Sequence, residues 1–410
     1  MLGIWFNHDD LDYRTKKHEN AEFLKDIGFT HFYVLIKGIE NDIRNTAPYH
    51  ERVRYLVSKA RSMGIKAHGV FICSEDAHYL SENPEKADIS YKRARSTCRI
   101  SHVDECYRAY LKESILTAVE EFGLDGVQLD FLRFGYVGNG WGKREEEIYA
   151  SFGVRVEELR KELTTSYDPS KPQNNLGAFL KRLKEGDAKL TSFSKARSFI
   201  IQDFAKDIAD CVHSAFPDKE VSLAMMPEAF YPEWQEINLL HYGQDQNDLK
   251  AVVDRLFPMA YAGVYNVTSD WVKQICEDAA ISAPDFVVGL DCIEPRGALH
   301  IQSDLQAVSG LTDGGICLFR YGRMILAKRS DDETELLNTY AGTVDRLILV
   351  NGNATITMEV ELLEAGRMSV HGHWELIRAY GSFSKGSNSK YEGELCVVQG
   401  WDLSEWRHSE

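Results

Sequence analysis

Asp125-Gly126-Val127-Gln128-Leu129-Asp130-Phe131-Leu132-Arg133-Phe134 opens on a turn, runs through a short apolar strand and ends in a carboxylate. A run this apolar on both faces reads as a strand of a buried parallel sheet, and Asp130 sits where that strand opens into solvent. Enzymes of the α/β class place their chemistry at such strand ends.

Seven further runs share this texture: Gly3 to Asn7, Phe29 to Ile36, Lys66 to Ile72, Glu220 to Met226, Arg255 to Tyr261, Phe286 to Asp291 and Gly315 to Tyr321. Amphipathic segments separate them, among them His50 to Ser62 and Glu105 to Glu121, each followed by a glycine turn (Met63-Gly64, Phe122-Gly123) suited to a helix C-terminus. Eight strands alternating with helices predict a (β/α)8 TIM barrel of the α/β class over residues 1–337. The polar stretch from about 136 to 197, with helices expected at Glu145 to Thr164 and Leu176 to Lys184, is too long for one crossover. It reads as an insertion after the fourth strand that walls the barrel mouth. Beyond it, Arg346 to Val350, Thr355 to Leu362, Met368 to Ile377 and Glu394 to Val398 alternate with Asn351-Gly352-Asn353, Glu364-Ala365-Gly366 and a Gly/Ser/Lys-rich loop at Gly381 to Lys390. These predict a small antiparallel all-β C-terminal domain over 338–410.

The 410 residues are 44% hydrophobic and 27% charged, enough for a large core, and the formal charge is -16. Such an acidic chain is a poor partner for nucleic acid, whose binding draws on clustered Lys and Arg. An uncharged substrate suits it better. No run of about 18 apolar residues suggests a membrane span. Eight cysteines stand singly with no CxxC pair, and Met1-Leu2-Gly3-Ile4-Trp5-Phe6 begins a strand with no basic or apolar leader. The expectation is a cytoplasmic protein with reduced thiols; a secreted chain whose leader had been removed would read the same. A homo-oligomer is left open.

In a barrel the strand ends converge on one mouth. They deliver Asn7-His8-Asp9-Asp10, Ser74-Glu75-Asp76, Asp130 with Arg133, Glu228, Tyr261, Asp291 with Glu294, and Arg320-Tyr321. Paired carboxylates in different environments serve glycosidic cleavage, one protonating the leaving oxygen while the other attacks carbon or activates water. No phosphate loop, serine elbow or HExxH run competes. Trp5, Tyr136, Trp141, Tyr231, Trp234 and Tyr261 offer flat faces for sugar rings. Trp141 and Trp234 stand in polar loops and so rank above Trp5, which reads as core.

Asp125 to Phe134 resembles the DG(I/V)xxD(Y/F)(I/L)R(Y/F) signature of glycoside-hydrolase-like TIM barrels, the group that includes the C-terminal barrel of exopolysaccharide deacetylases. Val253 to Tyr261 is similar to that group's VDxxxPMxY strand, and Gly314 to Gly322 to its closing GxxxFxYG strand. The resemblance implies a catalytic or substrate-contacting role for Asp130, oriented by Arg133. By analogy with retaining barrels it implies Glu228 as acid/base on the fifth strand. Gln128 stands where the amylase-like clan has Arg, and Gly135 where a Pro is usual; these departures leave nucleophile, acid and binding roles open for Asp130.

The bland readings stand beside these. Asp130 and Arg133 suit a structural ion pair, Glu228 a solvated loop, and Lys37 and His68 satisfied core groups. His371 and His373 read as surface residues of one strand. The expected activity is glycoside hydrolysis of an oligo- or polysaccharide with no cofactor and no metal. Catalysis falls to Asp130, Glu228 and Asp291, and binding to His8, Arg133, Trp141, Trp234, Tyr261, Glu294, Arg320 and Tyr321. The rivals are a non-hydrolytic carbohydrate-binding barrel and a metal-dependent hydrolase using His8.

Overall fold

The computed structural model describes residues 1–7, 18–40, 42, 47–166, 172–292, 298–362, 366–384 and 390–400. The first ten strands are β1 (Leu2–Phe6), β2 (His31–Lys37), β3 (Lys66–Ile72), β4 (Ala87–Ile89), β5 (Arg95–Ile100), β6 (Gly126–Asp130), β7 (Glu220–Met225), β8 (Arg255–Pro258), β9 (Val287–Asp291) and β10 (Gly315–Phe319). All but β4 and β5 join one parallel sheet in the order β8-β7-β6-β3-β2-β1-β10-β9. A single parallel bridge, Met259 to Gly289, links its two ends, so the eight strands form a nearly closed barrel with helices outside.

Side-chain alternation explains why these strands are apolar on both faces. Val127 and Leu129 of β6, Leu256 of β8, Val288 and Leu290 of β9 and Ile316 and Leu318 of β10 face the helices and join the main core. Their neighbours face inward, where Trp5, Tyr33, Val70, Phe257, Val287 and Cys317 form a separate cluster that fills the barrel. On β6 the inward positions are Gln128 and Asp130. Asp104 caps the helix Glu105–Phe122 by accepting from Tyr107 N, and Gly123 ends it at φ +65°. That left-handed turn delivers the chain into β6.

The barrel mouth carries two additions. The antiparallel pair β4 and β5 follows β3. The segment after β6 carries helices Lys143–Ser151, Val156–Ser166 and Pro172–Lys184 before the 28-residue helix Ala188–Ala215. Arg197 of that last helix is completely buried. It donates Nη1 to Asn139 O at 2.7 Å and Nη2 to Tyr136 O and His241 O at 3.0 and 2.8 Å, with its guanidinium 3.8 Å above the Phe134 ring. The loop leaving Asp130 is thereby held against the helix Gln235–His241.

Asp88 of β4 fastens the same loop, its Oδ1 accepting from Gly140 N at 2.8 Å. Burial, with Glu145 adding repulsion, pushes its carboxyl up to about 7. The folded state therefore holds a proton that the unfolded chain releases near pH 4, and stability falls as pH rises from about 4 to about 7. Asp88→Asn keeps the acceptor and removes the titration. Its stability relative to the parent should rise across that window by up to about 1.4 kcal/mol per pH unit, read from urea midpoints at pH 5 and 8. A difference independent of pH would refute this assignment.

Eight more strands follow: β11 (Ile325–Arg329), β12 (Glu333–Asn338), β13 (Gly342–Asn351), β14 (Ala354–Leu362), β15 (Arg367–His371), β16 (Leu376–Ser384), β17 (Lys390–Leu395) and β18 (Val397–Gln399). They form two four-stranded sheets, β15-β12-β11-β18 and β14-β13-β16-β17. Ile325, Leu336 and Val397 of the first sheet share a core with Leu347, Ile377 and Leu395 of the second. The other face of the first sheet, through Leu326, Leu337 and Val398, joins the barrel's main core. The run Met368 to Ile377, expected as one strand, is two strands parted at Gly372, whose φ of +113° turns the chain. No helix among the described residues is long and apolar enough to cross a membrane.

Candidate active site

The strand ends enclose a cavity of about 130 Å³ at the barrel mouth. Trp5, Phe131, Tyr261 and Phe319 supply aromatic walls, and Gln128 and Asp130 supply polar groups. Tyr261 stacks on Phe319 (centroids 5.2 Å apart, 22° between planes), and Trp5 meets both rings edge-on at 6.5 and 5.9 Å. The Phe319–Arg320 peptide is cis.

Asp130 ends β6 with 24% of its side chain exposed. Its Oδ1 accepts from Phe131 N at 2.7 Å. Phe131 adopts φ +53°, a left-handed conformation that costs an L-residue roughly 1–2 kcal/mol. Arg133 Nη1 lies 3.7 Å from the same oxygen, an ion-pair distance longer than a hydrogen bond, while its guanidinium sits 4.2 Å over the Phe131 ring. Burial pushes the Asp130 carboxyl above its usual range; Arg133 and the Phe131 N–H oppose this, and Glu75 adds to it. Glu75 itself is held by Arg99.

Glu228 follows β7 in the short helical turn Pro227–Phe230 and is buried, which corrects the solvated-loop reading. The Tyr265 hydroxyl reaches its two carboxylate oxygens at 3.0 and 3.1 Å. Burial raises the Glu228 carboxyl, and Tyr265 and Arg133 hold it back. Arg133 therefore acts on both Asp130 and Glu228. Asp291 ends β9, is buried and accepts from Gly263 N at 3.1 Å. Burial drives the Tyr261 hydroxyl well up, and Asp130 and Asp291 both contribute, so this ring lies within the field of both acids.

The remaining candidates divide. Arg320 is half-buried beyond the end of β10. Tyr321 is fully buried with its ring stacked on Phe6 at 4.9 Å, so it is a core residue and not a ligand contact. Trp141 is also fully buried, packed against Tyr149 and Phe193 with its indole N–H on Val137 O at 3.0 Å. Its loop is roofed by the helix carrying Arg197, and the ring has no face to offer a sugar. Trp234 is half-buried beside Tyr231, away from the cavity lining. His8 and Glu294 lie outside the described residues. Lys37 is a buried structural cation, 3.1 Å from Asp76 and bonded to the Ile72 and Glu75 carbonyls. Among the described residues no group of three His, Cys, Asp or Glu side chains is placed to hold a metal ion.

The structure reverses the expected order of the tryptophans, since Trp5 and not Trp141 walls the cavity. Gln128, Phe319 and Tyr265 also enter the site without having been singled out for it. Gln128 was legible by period two, because it shares a strand face with Asp130.

No family model and no curated protein matches the chain. Solved structures match its fold. The β-galactosidase of the psychrophilic Marinomonas ef1 superposes with a TM-score of 0.54 at 12% identity, over 78% of this chain and 54% of that one. The β-galactosidase of Halorubrum lacusprofundi gives 0.54 at 12%, over 78% and 53%. A catalytic mutant of Gan42B, a GH42 β-galactosidase from G. stearothermophilus, gives 0.53 at 13%, over 80% and 51%. The chain thus spans about half the length of these glycosidases and shares the fold of their TIM barrels.

Proposed function

We propose that the chain is a glycoside hydrolase acting on an oligo- or polysaccharide, with Asp130 as the carboxylate at the reacting centre. One observation carries the reading: Asp130 ends the fourth barrel strand in an aromatic-walled cavity, with a perturbed carboxyl tied through Arg133 to a second buried acid, Glu228. In this reading Asp130 is nucleophile or charge stabiliser, and Glu228, whose carboxyl burial pushes up, donates to the leaving oxygen. Asp291 orders the rim through Gly263 N and, with Asp130, polarises Tyr261. Trp5, Tyr261 and Phe319 supply the faces against which a sugar ring packs. The test is turnover of a panel of aryl glycosides and polysaccharides by the parent, with Asp130→Asn as control.

Tyr265→Phe probes the acid role of Glu228. The Tyr265 hydroxyl stabilises the ionised carboxylate, so its removal raises the Glu228 pKa further. The basic limb of kcat/KM should move to higher pH by about half a unit to one unit. An unmoved or lowered limb would take the acid role away from Glu228.

A second reading, a carbohydrate-binding barrel without hydrolysis, has its own support. Asp130 is the only acid among the described cavity-lining residues, and Tyr265 engages both oxygens of Glu228. Sugar binding without turnover in the same panel would favour it.

A further inference from the structure

Beneath Asp130 the barrel packs Tyr33, Val70, Phe257, Val287 and Cys317 around Trp5, with buried Ser222 in register beside Gln128 and buried His68 in register beside Tyr33. Gln128 projects into this layer fully buried, and it lines the cavity. Its two amide atoms fare differently. Oε1 accepts from the Trp5 indole Nε1–H, whereas Nε2 has no hydrogen-bond partner among the described residues. The indole bond also fixes the amide's orientation, because a flip would set two donors against each other. A buried N–H pair without an acceptor is costly, so a preorganised donor at a cavity floor points to a ligand oxygen that completes it.

The spacing suits a sugar. Gln128 and Asp130 are two residues apart on one strand, so their side chains leave the same face about 7 Å apart along it. A donor lies at the floor and an acceptor at the rim, with aromatic walls between. The cavity of about 130 Å³ equals the share of roughly four waters at about 30 Å³ each, room for the inward end of one sugar unit and not for a chain passing through. A sugar hydroxyl accepts as well as donates, so its oxygen can complete the bond from Nε2.

We propose that Gln128 is the specificity-determining residue of this pocket, donating from Nε2 to one hydroxyl oxygen at the inward end of a terminal sugar unit. The proposal rests on the carbohydrate reading of the site, and it does not require hydrolysis. It makes the pocket a reader of one position on the ring, because an analogue lacking that hydroxyl leaves the donor buried and unpaired.

The test is a calorimetric series of methyl pyranosides and their monodeoxy analogues against the parent, Gln128→Met and Gln128→Glu, paired with kcat/KM on the matching aryl glycosides. Loss of one particular hydroxyl should weaken parent binding by about tenfold to a hundredfold. Gln128→Met should bind the full sugar as weakly as the parent binds that deoxy analogue and no longer tell the two apart, while discrimination at other positions persists. Gln128→Glu keeps the acceptor for Trp5, and its ionised form has no donor, so at a pH where the new carboxyl is ionised it must show the same selective loss and decides the matter if the methionine variant does not fold. Unchanged discrimination at every position in a folded variant overturns the proposal, as does a parent that binds none of the pyranosides. Sugars bound but never hydrolysed would sink the hydrolase reading alone, with the binding series still deciding Gln128.

Discussion

Asp130→Asn should lower kcat/KM on any glycoside the parent hydrolyses by about 10³ to 10⁴ while leaving sugar affinity within about threefold. The asymmetry follows from the local geometry. Asparagine keeps an oxygen to accept from Phe131 N, so the left-handed turn at Phe131 and the stacking of Arg133 on its ring persist. What disappears is the carboxylate, whose charge or lone pair the reaction needs. Burial already opposes ionisation of this group, so its replacement by a neutral isostere should not lower the unfolding midpoint. Lost activity with an unchanged midpoint separates chemistry from folding. A variant that retains a tenth or more of the parent's kcat/KM would assign Asp130 the structural role of an ion-pair partner.

Arg197→Met should lower unfolding free energy by about 3–5 kcal/mol, the largest stability effect expected of a single change at the mouth. Methionine replaces much of the stem but strands the carbonyls of Asn139, Tyr136 and His241, which Arg197 now satisfies, and removes the cation from the Phe134 face. Those carbonyls belong to the loop leaving Asp130 and to the helix after Glu228, so both acids lose a common anchor. Denaturant unfolding at pH 7 reads the effect as a fall in midpoint, with activity falling as well. A loss below about 1 kcal/mol would show that the insertion holds the mouth by apolar packing alone.

The barrel was legible because each parallel strand is buried on both faces and announces itself as a short apolar run; Lys66–Ile72 and Gly126–Asp130 emerge with the bounds that were expected. The same property hid the site. With both faces apolar, composition does not say which residues look outward at helices and which look into the mouth. Trp5 therefore read as core, although it lines the cavity. Trp141 failed in the opposite sense: a tryptophan in a glycine-containing polar loop reads as exposed, and what buries it is a helix some 50 residues later, a long-range contact with no local mark. Asp130, Glu228 and Asp291 could be located by counting strand ends. Tyr265, which holds Glu228, could not, because its role arises only where the helix Ala262–Tyr265 meets the turn after β7. The short antiparallel pair β4 and β5 was hidden for a different reason, its strand Ala87–Ile89 having three residues, too few for period two to show.

The most direct measurement is aglycone release from a panel of aryl glycosides by the parent and by Asp130→Asn at equal concentration, with sugar binding followed in parallel. Release by the parent on at least one glycoside, a loss of about 10³ or more in the variant, and binding by both are expected. Equal rates from the two proteins, or no release by the parent from any glycoside, would contradict hydrolysis at Asp130.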